Sequence, residues 1–289
     1  MLPRFVIGVV VAGVTLTGVA TAGGTSDASV AALQVALRQS GIYSGPVDGV
    51  SGAATETAVR VLQSRRGLAA DGVAGPRTRR LLGPFARHQL GSRTLEVGQS
   101  GWDVAELQFA LAWHGFPSGA FDGSFGAHLE GAVRRFQRWA RLPSDGIAGP
   151  VTIAALKLPL PQSQLTLAWP LSGPLDSGFG PRGDRFHAGI DLAAAEGTPV
   201  HAAAPGSVVW VGTRAGWGLL VTVAHADGVR TLYAHLSKAN VRLGERVDTE
   251  TMIGRVGATG DATGPHLHLE VRVNGPAIDP VTALAPHGS

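Results

Sequence analysis

The stretch 264-GPHLHLEVRVNG-275 alternates apolar and polar residues and ends on Asn-Gly, the strongest short hairpin signal. It reads as a strand running into a tight turn. Side chains at i and i+2 of a strand face the same way, about 7 Å apart at roughly 3.3 Å of rise per residue. His266 and His268 therefore share a face, and Glu270 follows them onto it. Two imidazoles and a carboxylate aimed into one space need an explanation from the rest of the chain.

The surrounding sequence has the texture of the same strand. From Trp169 onward, short Val-rich runs such as 207-SVVWVG-212 and 219-LLVTVAH-225 alternate with glycine turns, the mark of an antiparallel β domain. His225-Ala-Asp227-Gly228 reads as one of its hairpin turns. Residues 158–168 hold Pro159 and Pro161 without helical or strand period and read as a linker.

Upstream of that linker the chain repeats itself. Val30 to Leu82 aligns without a gap onto Val104 to Leu156 at a constant offset of 74, with about half the positions identical. Leu33-Gln34 matches Leu107-Gln108, Asp48-Gly49 matches Asp122-Gly123, Gln63 matches Gln137, and 71-DGVAGP-76 matches 145-DGIAGP-150. Val30, Leu33 and Leu37 carry helical apolar spacing, and Ala58, Val59 and Leu62 form a second apolar face after the Asp-Gly turn. A third short helix follows the Gly-Pro pair, so each copy is expected to be a three-helix unit with a small core. Residues 83–102 mix Gly, Pro, polar and charged residues and read as a connection between the copies.

The 289 residues contain no cysteine, so the fold owes nothing to disulfides and any metal site must use His and carboxylate. The formal net charge of +3 suits an anionic polymer but is too weak to argue for nucleic acid, and no basic run exceeds two residues. Arg4 precedes an apolar run from Phe5 to about Val19, and Ala20-Thr21-Ala22 reads as a small-x-small cleavage site. The run is shorter than the roughly 20 apolar residues that span a bilayer, so a cleaved export signal is expected rather than an anchor.

Ten histidines raise the question of which ones converge. In 186-FHAGIDLA-193, His187 and Asp191 stand four apart, with Gly189 arguing against a rigid helix between them. A turn into a strand could bring both onto one ion. The run 233-YAHL-236 places His235 on a strand. A catalytic Zn²⁺ takes three protein ligands and leaves a fourth position open; His187, Asp191 and one of the His266/His268 pair make such a set. Two further imidazoles nearby could take and give protons near neutral pH. No His-Glu-x-x-His helix is present, which excludes the common zincin arrangement. Each of these signals is weak singly; their joint order over some eighty residues is specific.

Taken together, the motifs resemble two known families. Leu-Gln, Asp-Gly, then Asp-Gly-x-x-Gly-Pro-x-Thr in both copies is similar to the peptidoglycan-binding domain 1 family, a three-helix wall-binding module. Copy one departs from it at Ser51 and Leu62, where an aromatic is usual, and copy two at Leu129, where a Thr is common. His-x-x-x-Asp, Tyr-x-His and Gly-Pro-His-x-His-x-Glu, from about Trp169 to Leu284, resemble the M23 family of zinc metallopeptidases of the LytM and lysostaphin type. That resemblance implies one Zn²⁺ per chain held by His187, Asp191 and His268. It implies catalytic roles for His235 and His266, either of which could be the principal base, and no ligand role for Glu270, which is expected to support a ligating imidazole through its other N–H. The expected organisation is multi-domain. A signal peptide (1–22) and two small three-helix bundle repeats (29–83 and 103–157) come first. A linker (158–168) and a mainly antiparallel β metallopeptidase domain (169–285) follow. The expected activity is that of an exported, cell-wall endopeptidase with peptidoglycan as partner, without nucleic acid and without a stable membrane span after processing. A catalytically silent regulator of other wall hydrolases is the competing reading; it is disfavoured because all five positions are filled.

Overall fold

The computed structural model describes residues 19–21, 24–160 and 162–286. The expected export signal lies largely outside them, as does His287; strand β1 (Val19–Thr21) pairs with β2 (Gly24–Ser26). Among the described residues no helix is long and apolar enough to cross a membrane.

Six helices follow in two sets of three: α1 (Ala28–Gln39), α2 (Ala53–Arg65) and α3 (Pro76–Leu81), then α4 (Trp102–Trp113), α5 (Ala127–Trp139) and α6 (Pro150–Ala155). Their ends are chemically specified. Asp27 caps α1 by accepting the Ser29 and Val30 amides, and Pro76 and Pro150 occupy the first turns of α3 and α6, where a missing N–H costs nothing.

The repeated Gln and Asp-Gly residues form one clasp, used four times. Gln34 Nε2 donates to Asp48 Oδ1 (2.7 Å), the Val50 carbonyl (3.2 Å) and Thr55 Oγ1 (3.2 Å), while its Oε1 accepts the Gly49 amide (2.9 Å). Gln63 repeats this with Asp71, Val73, Thr78 and Gly72, and Gln137 with Asp145, Ile147, Thr152 and Gly146. Gln108 holds Asp122, Ser124 and Gly123 but finds no hydroxyl, because Leu129 stands where Thr55 stands in the first copy. Each clasp satisfies a buried amide and ties a helix to the turn that follows it.

The copies do not keep separate cores. Trp102, Phe109 and Trp113 of α4 are buried together with Leu33, Leu37 and Val59 of the first copy, so α1 and α4 pack into one shared core. The segment 83–102, a connection by composition, is likewise built in. Leu95 is fully buried and bridges to Ala148, Arg93 makes a two-pronged ion pair with Asp103, and Glu106 accepts both the Leu90 amide and Trp102 Nε1. Composition missed these contacts because single anchors in a polar stretch leave no periodic trace.

The C-terminal half is a largely antiparallel sheet. Its strands are β3 (Leu175–Ser177), β4 (Gly180–Arg182), β5 (Arg185–His187), β6 (Ile190–Ala193), β7 (Pro199–His201) and β8 (Gly206–Arg214). Then come β9 (Gly218–Ala224), β10 (Val229–Ala239), β11 (Arg246–Val247), β12 (Met252–Val256), β13 (His266–Val273) and β14 (Ala277–Ile278). The main sheet runs β11-β8-β9-β10-β13-β6-β3, with β4 and β5 forming a separate hairpin. β13 is central, between β10 and β6, and turns through Asn274 (φ 53°) and Gly275 into β14. Leu267, Leu269, Val271 and Val273 fill the core on one face and leave the other to His266, His268 and Glu270.

The helical region sits on the β4–β5 hairpin. The Val47 amide donates to the Gly183 carbonyl (2.7 Å) and the Phe121 amide to the Asp184 carbonyl (2.6 Å). Trp113 packs edge-on against Phe186 and Phe179, ring centroids 5.3 and 6.1 Å away. Gly115 allows a second close approach, to the β13–β14 turn, since a Cβ there would strike the Ala277 carbonyl and Pro276. The hairpin so clamped ends at His187.

Candidate active site

Strand register assembles the site. His268 on β13 is paired directly with Asp191 on β6 and with Ala234 on β10. Directly opposed residues of an antiparallel pair point to the same side with Cβ atoms about 5 Å apart, so Asp191 must meet His268. His187 arrives from β5 through a turn at Gly189, whose missing side chain leaves room for the His268 ring; a Cβ there would lie 2.8 Å from its Cε1 and against the Leu269 carbonyl. His235 enters from β10 at a register shift, in the left-handed region (φ 62°), which turns its ring out of the strand's alternation.

All five expected residues converge. His187 Nε2 lies 2.9 Å from His268 Nδ1 and 3.1 Å from Asp191 Oδ1; His268 Nδ1 lies 2.9 Å from the same oxygen. These three buried side chains offer one ligand atom each, all within 4.8 Å of one another. The His266 and His235 rings lie beside them, tilted to one another with centroids 4.8 Å apart, and His266 Nε2 is 3.7 Å from Asp191 Oδ1. His88, His114, His128, His201 and His225 lie elsewhere.

The outer nitrogens decide which lone pairs face inward. His187 Nδ1 is 2.8 Å from the Gly178 carbonyl, His235 Nδ1 is 2.7 Å from the Thr259 carbonyl, and His266 Nδ1 is 2.9 Å from the Gly264 carbonyl. A carbonyl only accepts, so each Nδ1 carries a proton, and in the neutral ring each Nε2 then turns a lone pair inward. His268 is reversed: its Nε2 donates to Glu270 Oε1 (3.3 Å), leaving Nδ1 for the cluster. Lone pairs of His187 Nε2, His268 Nδ1 and Asp191 Oδ1 thus meet at one point, which is stable only with a cation among them. A proton bridges one pair; a tetrahedral metal serves all three and leaves a fourth position. The donor set fits Zn²⁺.

Without an ion among them, protons shared by the imidazoles and Asp191 meet that demand. Burial disfavours the charged Asp191 carboxylate, but hydrogen bonds from His187 and His268 outweigh it and hold its pKa far below the usual carboxylate range. Burial also opposes a charged His268, yet Asp191 and Glu270 raise it to about 9. Glu270, wholly buried, would be neutralised by desolvation alone; Arg272 and His268 bring it down to about 2. Burial lowers His235, keeping its imidazole neutral and able to accept a proton.

Several partners went unread in the sequence. Arg182 on β4 holds the second Asp191 oxygen at 2.7 Å, Trp217 Nε1 donates to Glu270 Oε1 at 3.1 Å, and Arg272 grips Glu270 Oε2 at 2.6 and 2.8 Å. The Arg272 contact was visible in principle, since it follows Glu270 at strand period. The others depend on the β4–β5 hairpin and the 216–218 turn, which no local pattern fixes.

Both halves of the chain are similar to known proteins. Residues 185–280 match the model of peptidase family M23, and residues 26–82 and 100–156 each match that of the peptidoglycan binding domain. Over 107 residues the chain is 50% identical to the DD-carboxypeptidase/endopeptidase Mpg of Neisseria meningitidis serogroup B, covering 35% of this chain and 24% of that protein. Among solved structures, a zinc containing peptidase from Vibrio cholerae is 32% identical over 41% of this chain and 39% of that one, with a TM-score of 0.38. The catalytic domain of the antimicrobial peptidase lysostaphin from Staphylococcus simulans is 37% identical over 38% of this chain and 83% of that one, with a TM-score of 0.33. Residues 185–280 therefore belong to peptidase family M23, and two copies of the peptidoglycan binding domain precede them.

Proposed function

We propose that the protein is an exported zinc endopeptidase that hydrolyses peptide bonds in peptidoglycan cross-links or stem peptides. Its two helical repeats hold it on the wall. The observation that carries this reading is the meeting of three ligand atoms at one point beside two further imidazoles whose Nδ1 atoms are tied to backbone carbonyls. His187, Asp191 and His268 would hold the ion. Zn²⁺ there supplies Lewis-acid chemistry, acidifying water and polarising an amide carbonyl.

The rest belongs to the chain's own side chains. His235, neutral through burial and locked by the Thr259 carbonyl, presents Nε2 to take the proton of the attacking water. His266, its Nδ1 held by the Gly264 carbonyl and its ring beside that of His235, shares the proton work and, once protonated at Nε2, can donate to the developing oxyanion. Glu270 fixes the His268 ring, with Arg272 and Trp217 fixing Glu270 in turn. Export is supported by the N-terminal apolar run and by the wall-binding repeats. Tethering by the repeats raises the local concentration of wall peptide around the site.

Mass spectrometry of fragments released from purified peptidoglycan tests the proposal. The expected products carry new amino and carboxyl ends within stem or bridge peptides and leave the glycan strands intact. No release, or cleavage confined to glycan, would overturn it.

A further inference from the structure

The junction between the two repeats holds an open, surface-facing cavity of about 720 Å³ that the peptidase chemistry does not use. It is walled by α3 and by the segment that follows, most of which lies between the two peptidoglycan-binding matches at residues 26–82 and 100–156. Every ionisable side chain lining it is basic: Arg79, Arg80, Arg87 and His88. Gln89 and Ser92 add polar groups. Among the described residues none of these three arginines forms an ion pair, whereas Arg93, close by in the chain, is closed off by Asp103.

Arg79 faces the buried Glu106 carboxylate through Trp102, but the helix itself does not need the charge to form, as the duplication shows. At the offset of 74, 76-PRTRRL-81 corresponds to 150-PVTIAA-155. Both helices keep the proline of the first turn and the threonine of the glutamine clasp, so both fold alike. The second copy does so with Ile153 and Ala154 where the first has Arg79 and Arg80. The arginine wall is also built rather than loose. The Arg79 guanidinium lies 4.0 Å over the Trp102 ring, and Trp102 Nε1 is anchored on buried Glu106 (2.9 Å). Stacking of this kind leaves the guanidinium edge and its donors free for an anion.

We propose that this cavity is a binding site for the free carboxylates of a wall stem peptide. The proposal rests on the reading that the chain acts on peptidoglycan, and it adds where and by what chemistry the repeats take hold. A guanidinium fork matches a carboxylate bidentately, and a space of this size takes a few peptide residues. Binding here would hold one stem peptide at the repeat junction and leave the peptidase site free for another.

The test uses the full chain and an uncross-linked disaccharide-tetrapeptide, titrated at low and high salt. Arg79→Ile with Arg80→Ala installs the residues the second copy already tolerates, and Arg80→Ala with Arg87→Ala removes two exposed side chains without touching Trp102. Either pair is expected to weaken binding about tenfold or more and to flatten its salt dependence, while Arg77→Ala, on the same helix but off the cavity, changes nothing. Amidating the peptide carboxylates should produce the same loss in the unaltered protein. Affinity within twofold for both double variants, or equal binding of the amidated fragment, would overturn the proposal. Competition by a phosphodiester polymer but not by the tetrapeptide would overturn it too, assigning the cavity to phosphate. Hydrolysis of a soluble cross-linked dimer, run in parallel, should be the same for all variants. If the unaltered protein fails to cleave the dimer, the endopeptidase reading falls while the titrations still decide the cavity.

Discussion

Glu270 shows how the site is arranged residue by residue. It is wholly buried and touches no reacting atom, yet it accepts the His268 Nε2 proton and so aims the His268 Nδ1 lone pair at the cluster. Glu270→Gln keeps the shape but loses the charge that Arg272 and His268 hold. Metal affinity is expected to fall about ten- to a hundredfold, measured by competition with a chelating dye. Unchanged affinity would mean that the strand alone orients the ring. The residues themselves were legible: period two put His266, His268 and Glu270 on one face, and the family resemblance divided their roles. What could not be read was tautomer and aim. These come from the Gly178, Thr259 and Gly264 carbonyls, which are backbone groups with no sequence signature, and from Arg182, whose pairing with Asp191 needs the folded hairpin.

Among the helices and turns, the unit of organisation is the glutamine clasp. Gln137 holds a turn amide, a carbonyl, Asp145 and Thr152 from a buried position, so truncating it leaves several groups unsatisfied at once. Gln137→Ala is expected to destabilise the helical region by about 2–3 kcal/mol in denaturant unfolding. A loss below about 0.5 kcal/mol, the range of an ordinary surface change, would show the clasp to be dispensable. The matched Gln, Asp-Gly and Thr residues announced repeated units in the sequence, but not that they bond one another. The helices followed from apolar spacing; the shared core did not. α4 is buried all round, with Trp102, Phe109 and Trp113 turned to the first copy and Leu107 and Leu111 to the second, and such a helix carries little directional signal.

Across the whole molecule, the helical region and the peptidase domain are joined at the hairpin that carries His187. Trp113, Phe179 and Phe186 form the centre of that contact, with backbone hydrogen bonds from Val47 and Phe121 beside it. Trp113→Ala removes two edge-on ring contacts worth about 0.5–1.5 kcal/mol each beyond their buried area. Calorimetry is expected to resolve two unfolding transitions in this variant where the parent shows one; a single unshifted transition would mean that the two parts unfold independently of the contact. No sequence pattern foretold this docking, because it joins distant parts of the chain through single side chains and two backbone hydrogen bonds. The account as a whole stands on the cluster of His187, Asp191 and His268 holding the ion while His235 works beside it. The most direct test is the zinc content of the purified protein by elemental mass spectrometry, read alongside wall hydrolysis. About one zinc per chain is predicted for the parent and for His235→Ala, with hydrolysis lost in the latter, and neither zinc nor hydrolysis for His187→Ala. Wall hydrolysis retained by His187→Ala would contradict the account.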